Sequence, residues 1–222
     1  MASRMSCGFP TEERSMIPIK LMRPTIIVTL IMLALSLSAR AESGWMAEFV
    51  WSPQYCSQHH DSREVQCQQA NGFVLQELVR IIDGRVADDC DDGAQLSQDM
   101  VDQMARFTKN RVRTRMSWQR HGRCSGLSET DYAAFAEHVD RRMSWPVGYR
   151  PGSPEQLSTP ADVIAAIKDD NPGLNEQAMA LRCKRRELES ITLCLDDRFE
   201  LSASACLLRS NCGDSVRLRA SR

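Results

Sequence analysis

The chain has 222 residues, of which 28 are lysine or arginine and 29 are aspartate or glutamate, so its formal net charge at pH 7 is −1. This balance excludes a protein that binds nucleic acid through overall positive charge, and any site for a polyanion must be a local patch. The length is sufficient for one domain with a sizeable core.

The N-terminal segment predicts a secretory signal peptide over residues 1–41. An almost wholly apolar run over 24–38 follows two basic residues and precedes a small-x-small motif at 39–41. The alternative is a membrane anchor, but the run is shorter than the ~20 residues that a spanning helix needs. We therefore expect a single mature domain over 42–222 that is periplasmic or secreted and has no membrane attachment after cleavage.

Eight of the nine cysteines fall in the predicted mature domain. An even number of cysteines behind a signal peptide predicts four disulfide bonds, and the sequence alone leaves 105 ways to pair eight cysteines. No two of them have Cys-x-x-Cys spacing, and the histidines are not placed to complete a zinc site, so we expect no metal. The eight cysteines are Cys56, Cys67, Cys90, Cys124, Cys183, Cys194, Cys206 and Cys212.

The first half of the mature chain predicts strands, loops and one helix. Residues 46–51 predict a strand that ends at Ser52-Pro53, and residues 73–75 predict a second, short strand. An acidic stretch over 83–92 predicts a solvated loop, and residues 97–107 show helical spacing of apolar side chains.

Basic residues alternate along the chain just after this helix. If the segment were extended, four cations would share one face and could form a track for phosphates, although a solvated edge is the more ordinary explanation. These cations are Lys109, Arg111, Arg113 and Arg115.

The second half of the mature chain predicts helices first and strands afterwards. Strands at both ends with helices between them indicate an α+β domain stapled by disulfides. The predicted helices are 128–143 and 159–168, the predicted strands are 178–183, 188–195 and a short one around 201–206, and residues 213–222 form a polar tail.

The densest set of reactive groups lies in the segment Trp118-Gln119-Arg120-His121-Gly122-Arg123-Cys124. An imidazole titrates near neutral pH, and a guanidinium beside it is a fixed cation, so His121 next to Arg120 suits chemistry on a phosphate ester.

Several motifs in order resemble the ribonuclease T2 family, in particular its bacterial secreted members. Residues 51–56 (Trp-Ser-Pro-Gln-Tyr-Cys) resemble the family's first conserved strand and its cysteine, and residues 118–124 resemble the segment Trp-x-Lys-His-Gly-Thr-Cys. Residues 171–174 and the pair of strands that carry Cys183 and Cys194 fit the family's C-terminal half. The resemblance implies a central antiparallel sheet with packed helices and the pairs Cys56–Cys67, Cys90–Cys124, Cys183–Cys212 and Cys194–Cys206.

The family's chemistry implies roles for several residues. Family members cut RNA without a metal or cofactor and form a 2′,3′-cyclic phosphate; one imidazole accepts the 2′-hydroxyl proton and another protonates the leaving oxygen. By this resemblance, His121 and Arg120 are catalytic. The implied substrate-binding residues, for stacking on a base and for holding phosphate, are Trp118, Trp51, Tyr55 and Arg123. For Trp118 a place in the core is the equal alternative.

The sequence departs from the family at its other catalytic positions. Gln76 stands where the family has its first histidine, and Ser117 and Met116 stand where it has a glutamate and a further histidine. A positioned acid or base is worth about 10²–10⁴-fold in rate, so these losses predict a pseudoenzyme. His59 or His60 would rescue activity only if one of them turned into the site.

Three hypotheses follow. The first is a secreted, monomeric protein that binds RNA or a nucleotide and whose endoribonuclease activity is lost or very weak. The second is an active metal-independent endoribonuclease. The third is a secreted module that binds a protein partner, for example through the acidic stretch 83–92.

Overall fold

The computed structural model describes residues 43–60, 62–88, 90, 93–203, 206 and 209–221. The predicted signal peptide over 1–41 lies outside the described residues, as do parts of the acidic stretch 83–92 and of the segment 201–206. No helix within the described ranges is long and apolar enough to cross a membrane.

Seven strands of the described chain form one sheet. They are β1 (Gly44–Trp51), β2 (Phe73–Ile82), β3 (Arg85–Val86), β4 (Gln156–Ser158), β5 (Met179–Lys184), β6 (Glu187–Asp196) and β7 (Val216–Leu218). The strand order is β3-β2-β1-β6-β7-β4, and β5 also pairs with β6. The pairs are antiparallel except for a parallel contact between β6 and β7, so the sheet is mixed. The prediction of an α+β fold is confirmed.

The described chain also contains six α-helices. They are α1 (Ser52–Gln58), α2 (Val65–Gln68), α3 (Gln98–Thr108), α4 (Arg111–Arg120), α5 (Glu129–Arg142) and α6 (Pro160–Asp170). Three of them, α3, α4 and α5, contact β2. The helices predicted over 97–107, 128–143 and 159–168 are confirmed as α3, α5 and α6. Each begins after a serine or threonine whose hydroxyl accepts a hydrogen bond from a backbone N–H in the first turn.

The core lies between the helices and one face of the sheet. Along β1 the side chains alternate, so that Trp45, Ala47, Phe49 and Trp51 are buried in the core cluster. The residues between them point to the opposite face. This alternation gives the sheet a closed face, which packs on the core, and an open face, which carries the polar residues of β1 and β2 and has residues of α1 and α4 at its rim.

The basic segment after α3 is helical, so the phosphate track, which was the less favoured of the two explanations for this segment and required an extended chain, does not form. Lys109 ends α3 with a left-handed backbone (φ 58°), and the Asn110 side chain then caps α4 by accepting a hydrogen bond from the Arg113 backbone N–H at 2.9 Å. Because the chain changes helix at this point, the four cations do not share a face. Arg111 instead pairs with Asp102 at 2.8 Å.

Other boundaries also differ from the prediction. The strand predicted over 73–75 extends to Ile82. The predicted polar tail contains β7, whose alternate apolar residues are buried. The strand predicted around 201–206 is reduced, among the described residues, to a single bridge at Leu201.

All four implied disulfides are confirmed. Two of them fix the surroundings of the open face. Cys56–Cys67 joins α1 to α2, and Cys90–Cys124 joins the chain after β3 to the turn that follows α4.

Candidate functional site

The open face of the sheet carries a cleft made of two adjoining hollows. The larger, of about 540 Å³, contains His121 and Arg120, and the smaller, of about 210 Å³, contains Gln76. Both are lined by Glu48, Glu77 and Arg182, which belong to the strands β1, β2 and β5. The predicted site residues His121, Arg120 and Gln76 are therefore brought to one cleft.

His121 lies directly after α4, where its backbone N–H donates to the Ser117 carbonyl at 2.9 Å. Its side chain is only 6 % exposed, and Nε2 lies 3.9 Å from Oε2 of Glu77. This distance is too long for a hydrogen bond but within ion-pair range, so the two groups form an ion pair when the imidazole is protonated. Nδ1 has no hydrogen-bond partner among the described residues.

The glycine after His121 is required by the packing of Trp118. A Cβ at Gly122 would lie 2.4 Å from Cε3 of the Trp118 ring, so the ring or the backbone would have to shift to accommodate any side chain. Trp118 itself is 4 % exposed, donates its indole N–H to the Ala94 carbonyl and packs edge-on against Tyr132. It therefore supports the His121 turn from within the core, and the prediction that its ring stacks on a ligand is wrong.

A β-bulge places Gln76 in the cleft. Glu48 of β1 pairs with Glu77, but the next residue, Phe49, pairs with Leu75, so Gln76 is the extra residue. Its side-chain amide is 3.5 Å from Oε1 of Gln66, and the same oxygen accepts a 3.0 Å hydrogen bond from Asn110. Gln76 is thus buried and tied into a neutral amide network.

Comparisons with known proteins identify the fold. No protein-family model matches the chain. A ribonuclease of Aeromonas hydrophila is 26% identical over 169 residues, which cover 72% of this chain and 77% of that protein. Ribonuclease MC1 from bitter gourd seeds has a TM-score of 0.59 at 16% identity and matches 78% of this chain and 98% of its own. An RNase-related protein from Calystegia sepium has a TM-score of 0.62 at 15% identity, and the match covers 82% of this chain and 98% of that protein. This chain has the ribonuclease T2 fold. Two structures of ribonuclease MC1 mutants are complexes with 5′-UMP and 5′-GMP.

The two residues that precede Trp118, Met116 and Ser117, do not line the cleft. Ser117 is buried and hydrogen-bonds the Tyr132 hydroxyl, which in turn donates to the Leu78 carbonyl at 2.8 Å. Met116 is 42 % exposed on the outer side of α4 and lines neither hollow. In this chain the carboxylate nearest His121 is on strand β2, at Glu77, rather than on helix α4.

Two carboxylates lie side by side on the open face. Glu48 and Glu77 are directly opposite in the β1–β2 register, which places their Cβ atoms about 5 Å apart. Ser190 of β6 donates its hydroxyl to Oε1 of Glu48. Burial raises the pKa of the Glu48 carboxyl; the hydrogen bond from Ser190 opposes this rise, and the negative charge of Glu77 adds to it.

Arginines supply the positive charge of the cleft. Arg120, Arg182 and Arg209 line the larger hollow, and Arg113 and Arg182 line the smaller. The guanidinium of Arg113 lies 5.5 Å from the centre of the Tyr55 ring. Arg123, which was predicted to bind substrate, lines neither hollow.

The other two aromatic residues that were predicted to bind substrate, Trp51 and Tyr55, lie in different surroundings. Trp51 is fully buried, and its indole N–H donates to the Arg219 carbonyl at 3.1 Å, so the prediction that it contacts substrate is wrong. Tyr55 is half-buried and lines the smaller hollow, where its ring stacks on His59 at 4.1 Å. His59 donates Nδ1–H to the Tyr55 carbonyl and lines the hollow of Gln76, whereas His60 lines neither hollow.

Four further residues of the cleft were not predicted from the sequence: Glu48, Glu77, Arg182 and Ser190. A usable signal was present for the first of them, because Glu48 interrupts an otherwise apolar strand and must point to the face opposite Ala47 and Phe49. The remaining three depend on strand register, which the sequence does not state. No group of three or more histidine, cysteine or acidic side chains suited to a metal ion occurs in the described part of the chain.

Proposed function

We propose that this protein binds RNA or a nucleotide in the cleft of its T2 fold and that cleavage by two imidazoles is lost or very weak. We further propose that it acts in the periplasm or outside the cell. Four disulfide bonds support that location, since disulfides persist in oxidising compartments.

The proposal rests mainly on Gln76, the residue that the β-bulge places in the cleft. By the T2 resemblance this is the position of the family's first histidine, and a glutamine amide neither accepts nor releases a proton near neutral pH. The loss of one positioned acid or base removes about 10²–10⁴-fold of rate.

The remaining lining supports binding of a phosphate group and a base. Four arginines face the cleft, and guanidinium groups recognise phosphate through paired N–H donors. Tyr55 offers an aromatic ring at the smaller hollow for a flat base. The mononucleotide complexes of ribonuclease MC1 show that the same fold elsewhere holds such ligands.

Calorimetric titration with 5′-UMP, 5′-GMP and a 2′-O-methyl RNA hexamer tests this proposal. The 2′-O-methyl groups prevent cleavage, so only binding is measured. We expect binding that weakens as salt is raised, because phosphate contacts release counterions. Arg182→Ala should weaken it, while Arg141→Ala, an exposed arginine on α5 paired with Glu137, should not. No heat and no shift in melting temperature with any of the three ligands would rule the proposal out.

An active endoribonuclease is the second candidate, favoured by one observation. His121 remains in the cleft with a carboxylate 3.9 Å from Nε2. Release of 2′,3′-cyclic phosphate ends from RNA by wild type, abolished in His121→Ala, is the expected result if this candidate holds. Equal traces of product from both proteins would assign the signal to contamination.

A further inference from the structure

We propose that Glu48 is the general base and His121 the general acid of a slow RNA transesterification in this cleft, with Glu77 positioning the imidazole between them. This inference rests on the proposed binding of RNA and adds the residues that would cut it. In this proposal Glu48, a carboxylate on the neighbouring strand, acts as the base that a histidine at position 76 would otherwise supply.

The three groups follow one another across the open face. Glu77 is the cross-strand neighbour of Glu48 and the ion-pair neighbour of His121. All three line the larger hollow, so a phosphodiester bound there meets a carboxylate on one side and an imidazole on the other. Transesterification of RNA needs this arrangement of two proton-transfer groups around the phosphorus.

Glu48 is suited to accept a proton. It is half-buried on β1, and the Ser190 hydroxyl donates to Oε1, which leaves Oε2 available to a substrate hydroxyl. Burial raises the pKa of Glu48, so its carboxylate is a stronger base than an exposed one. The sequence supplies no comparable base at Gln76.

His121 is suited to donate a proton. Its side chain is nine-tenths buried, and the Glu77 carboxylate is an electrostatic partner for the imidazolium. Glu77 does not need to touch the substrate for this role, so it is a positioning residue. The Gly122–Trp118 contact and the Cys90–Cys124 bridge fix the turn that carries the ring.

The charged groups of every neighbouring element contribute to the field at Glu48. The acidic groups that line the two hollows with Glu48 are Glu77 of β2, Asp88 after β3 and Glu189 of β6. The arginines that line them are Arg113 and Arg120 of α4, Arg182 of β5 and Arg209. The histidines are His121 and His59. Arg182 and Arg113 lower the pKa of Glu48, against the effects of burial and of Glu77. Arg120 and Arg182 are placed to contact the non-bridging phosphate oxygens, where negative charge grows.

The proposed step balances without a further reactant. Glu48 takes the proton of the 2′-hydroxyl, O2′ forms a bond to phosphorus, and the bond from phosphorus to O5′ breaks. His121 gives its proton to O5′. The products are a 2′,3′-cyclic phosphate and a 5′-hydroxyl, and exchange with water restores the two protonation states.

Two substrates separate the base from the acid. An RNA dinucleotide, UpU, has a poor leaving group that needs protonation, whereas uridine 3′-(4-nitrophenyl phosphate) releases a phenolate without it. We expect Glu48→Gln to slow both reactions by about 10²–10⁴-fold, and His121→Ala to slow only the first by that factor. Glu48→Gln should also remove the acidic limb of the pH–rate profile. Glu48→Asp, which keeps a carboxylate, should retain part of the rate.

The controls make each outcome decisive. Glu176→Gln makes the same chemical change at a carboxylate that pairs with Lys168 outside the cleft, and it should cleave like wild type. A Glu48→Gln/His121→Ala double variant, purified in parallel, measures contaminating nuclease. Wild-type rates in Glu48→Gln, or no cleavage by wild type above the double variant, overturn this inference. Binding of the 2′-O-methyl hexamer in the same preparations would leave the proposed function standing, and its absence would remove both.

Discussion

The two faces of the central sheet are made from the same strands but have different contents. The closed face carries Phe49 and Leu78 among the buried side chains under the helices, whereas the open face carries Glu48 and Glu77 among the arginines. Adjacent residues of β1 and β2 thus lie in different places, one in the core and the next in the cleft, because successive side chains of a strand point to opposite faces.

The fold depends on the closed face, whereas any chemistry depends on the open face. In this chain the T2 fold is stabilised by the buried side chains of the closed face and by four disulfide bonds. At the cleft, Gln76 occupies the bulge, and the carboxylate nearest His121 comes from a strand. Mutations on one face should therefore leave the other largely unaffected.

Phe49→Ala should have the largest effect, and on stability. Phe49 is fully buried between Trp145 and the rest of the core, so its truncation should lower the free energy of unfolding by about 3–5 kcal/mol. Urea denaturation followed by tryptophan fluorescence measures this loss. The matched change on the other face, Val50→Ala, should lower the free energy of unfolding by less than half as much. Equal losses in the two variants would show that the two faces contribute alike to stability.

Gln76→His tests the open face in the opposite direction. The substitution returns an imidazole to the bulge and gives up only a 3.5 Å hydrogen bond to Gln66, so UpU cleavage should rise by about 10²–10⁴-fold. Stability should change little. Adding Ser117→Glu would bury a carboxylate against Tyr132, so the single substitution is the cleaner measurement. A folded variant without any gain would show that the cleft itself has been remodelled.

Gly122→Ala should affect both properties moderately. The new Cβ would meet the Trp118 ring, and overpacking of this kind costs about 1–3 kcal/mol. Because the same turn carries His121, nucleotide affinity or cleavage should fall as well. The matched change Gly213→Ala has open space around it and should alter neither thermal melting nor binding.

The pH dependence of stability should show the smallest effect. The pKa of Glu48 is raised by burial above its ordinary value of 4.5, so the folded state binds its proton more tightly than the unfolded state does. The protonated Glu48 carboxyl therefore adds to the free energy of unfolding in full below pH 4.5, and this stabilisation is lost as the pH rises through the pKa that Glu48 has in the folded protein. Melting temperatures of Glu48→Gln and wild type should therefore diverge in favour of the variant between pH 4 and pH 7. A constant difference would place Glu48 in a more solvated setting.

The sequence predicted the parts of the fold that depend on local patterns. The strand of β1, the capped helices α3, α5 and α6, and, by family resemblance, the four disulfides are all present. Helix α4 was missed because its buried side chains, such as Thr114 and Ser117, are polar and leave no apolar period. The length of β2 was missed because the bulge interrupts its alternation.

The site was predicted only where it coincides with a motif. His121, Arg120 and Gln76 could be named from the T2 resemblance, and they lie in the cleft. Trp51 and Trp118 were misassigned because a tryptophan beside a reactive segment supports it from the core as readily as it faces a ligand. Glu48 and Glu77 become neighbours only through strand pairing, a long-range property.

The bulge at Gln76 also bears on which residues of β2 the fold constrains. An extra residue in a strand lies outside the alternation that assigns its neighbours to the core, and Leu75 and Leu78 keep their buried places on either side of it. A change of residue at this position therefore leaves the two leucines in place and alters only the hydrogen bond to Gln66. The fold constrains the leucines more tightly than the residue in the bulge.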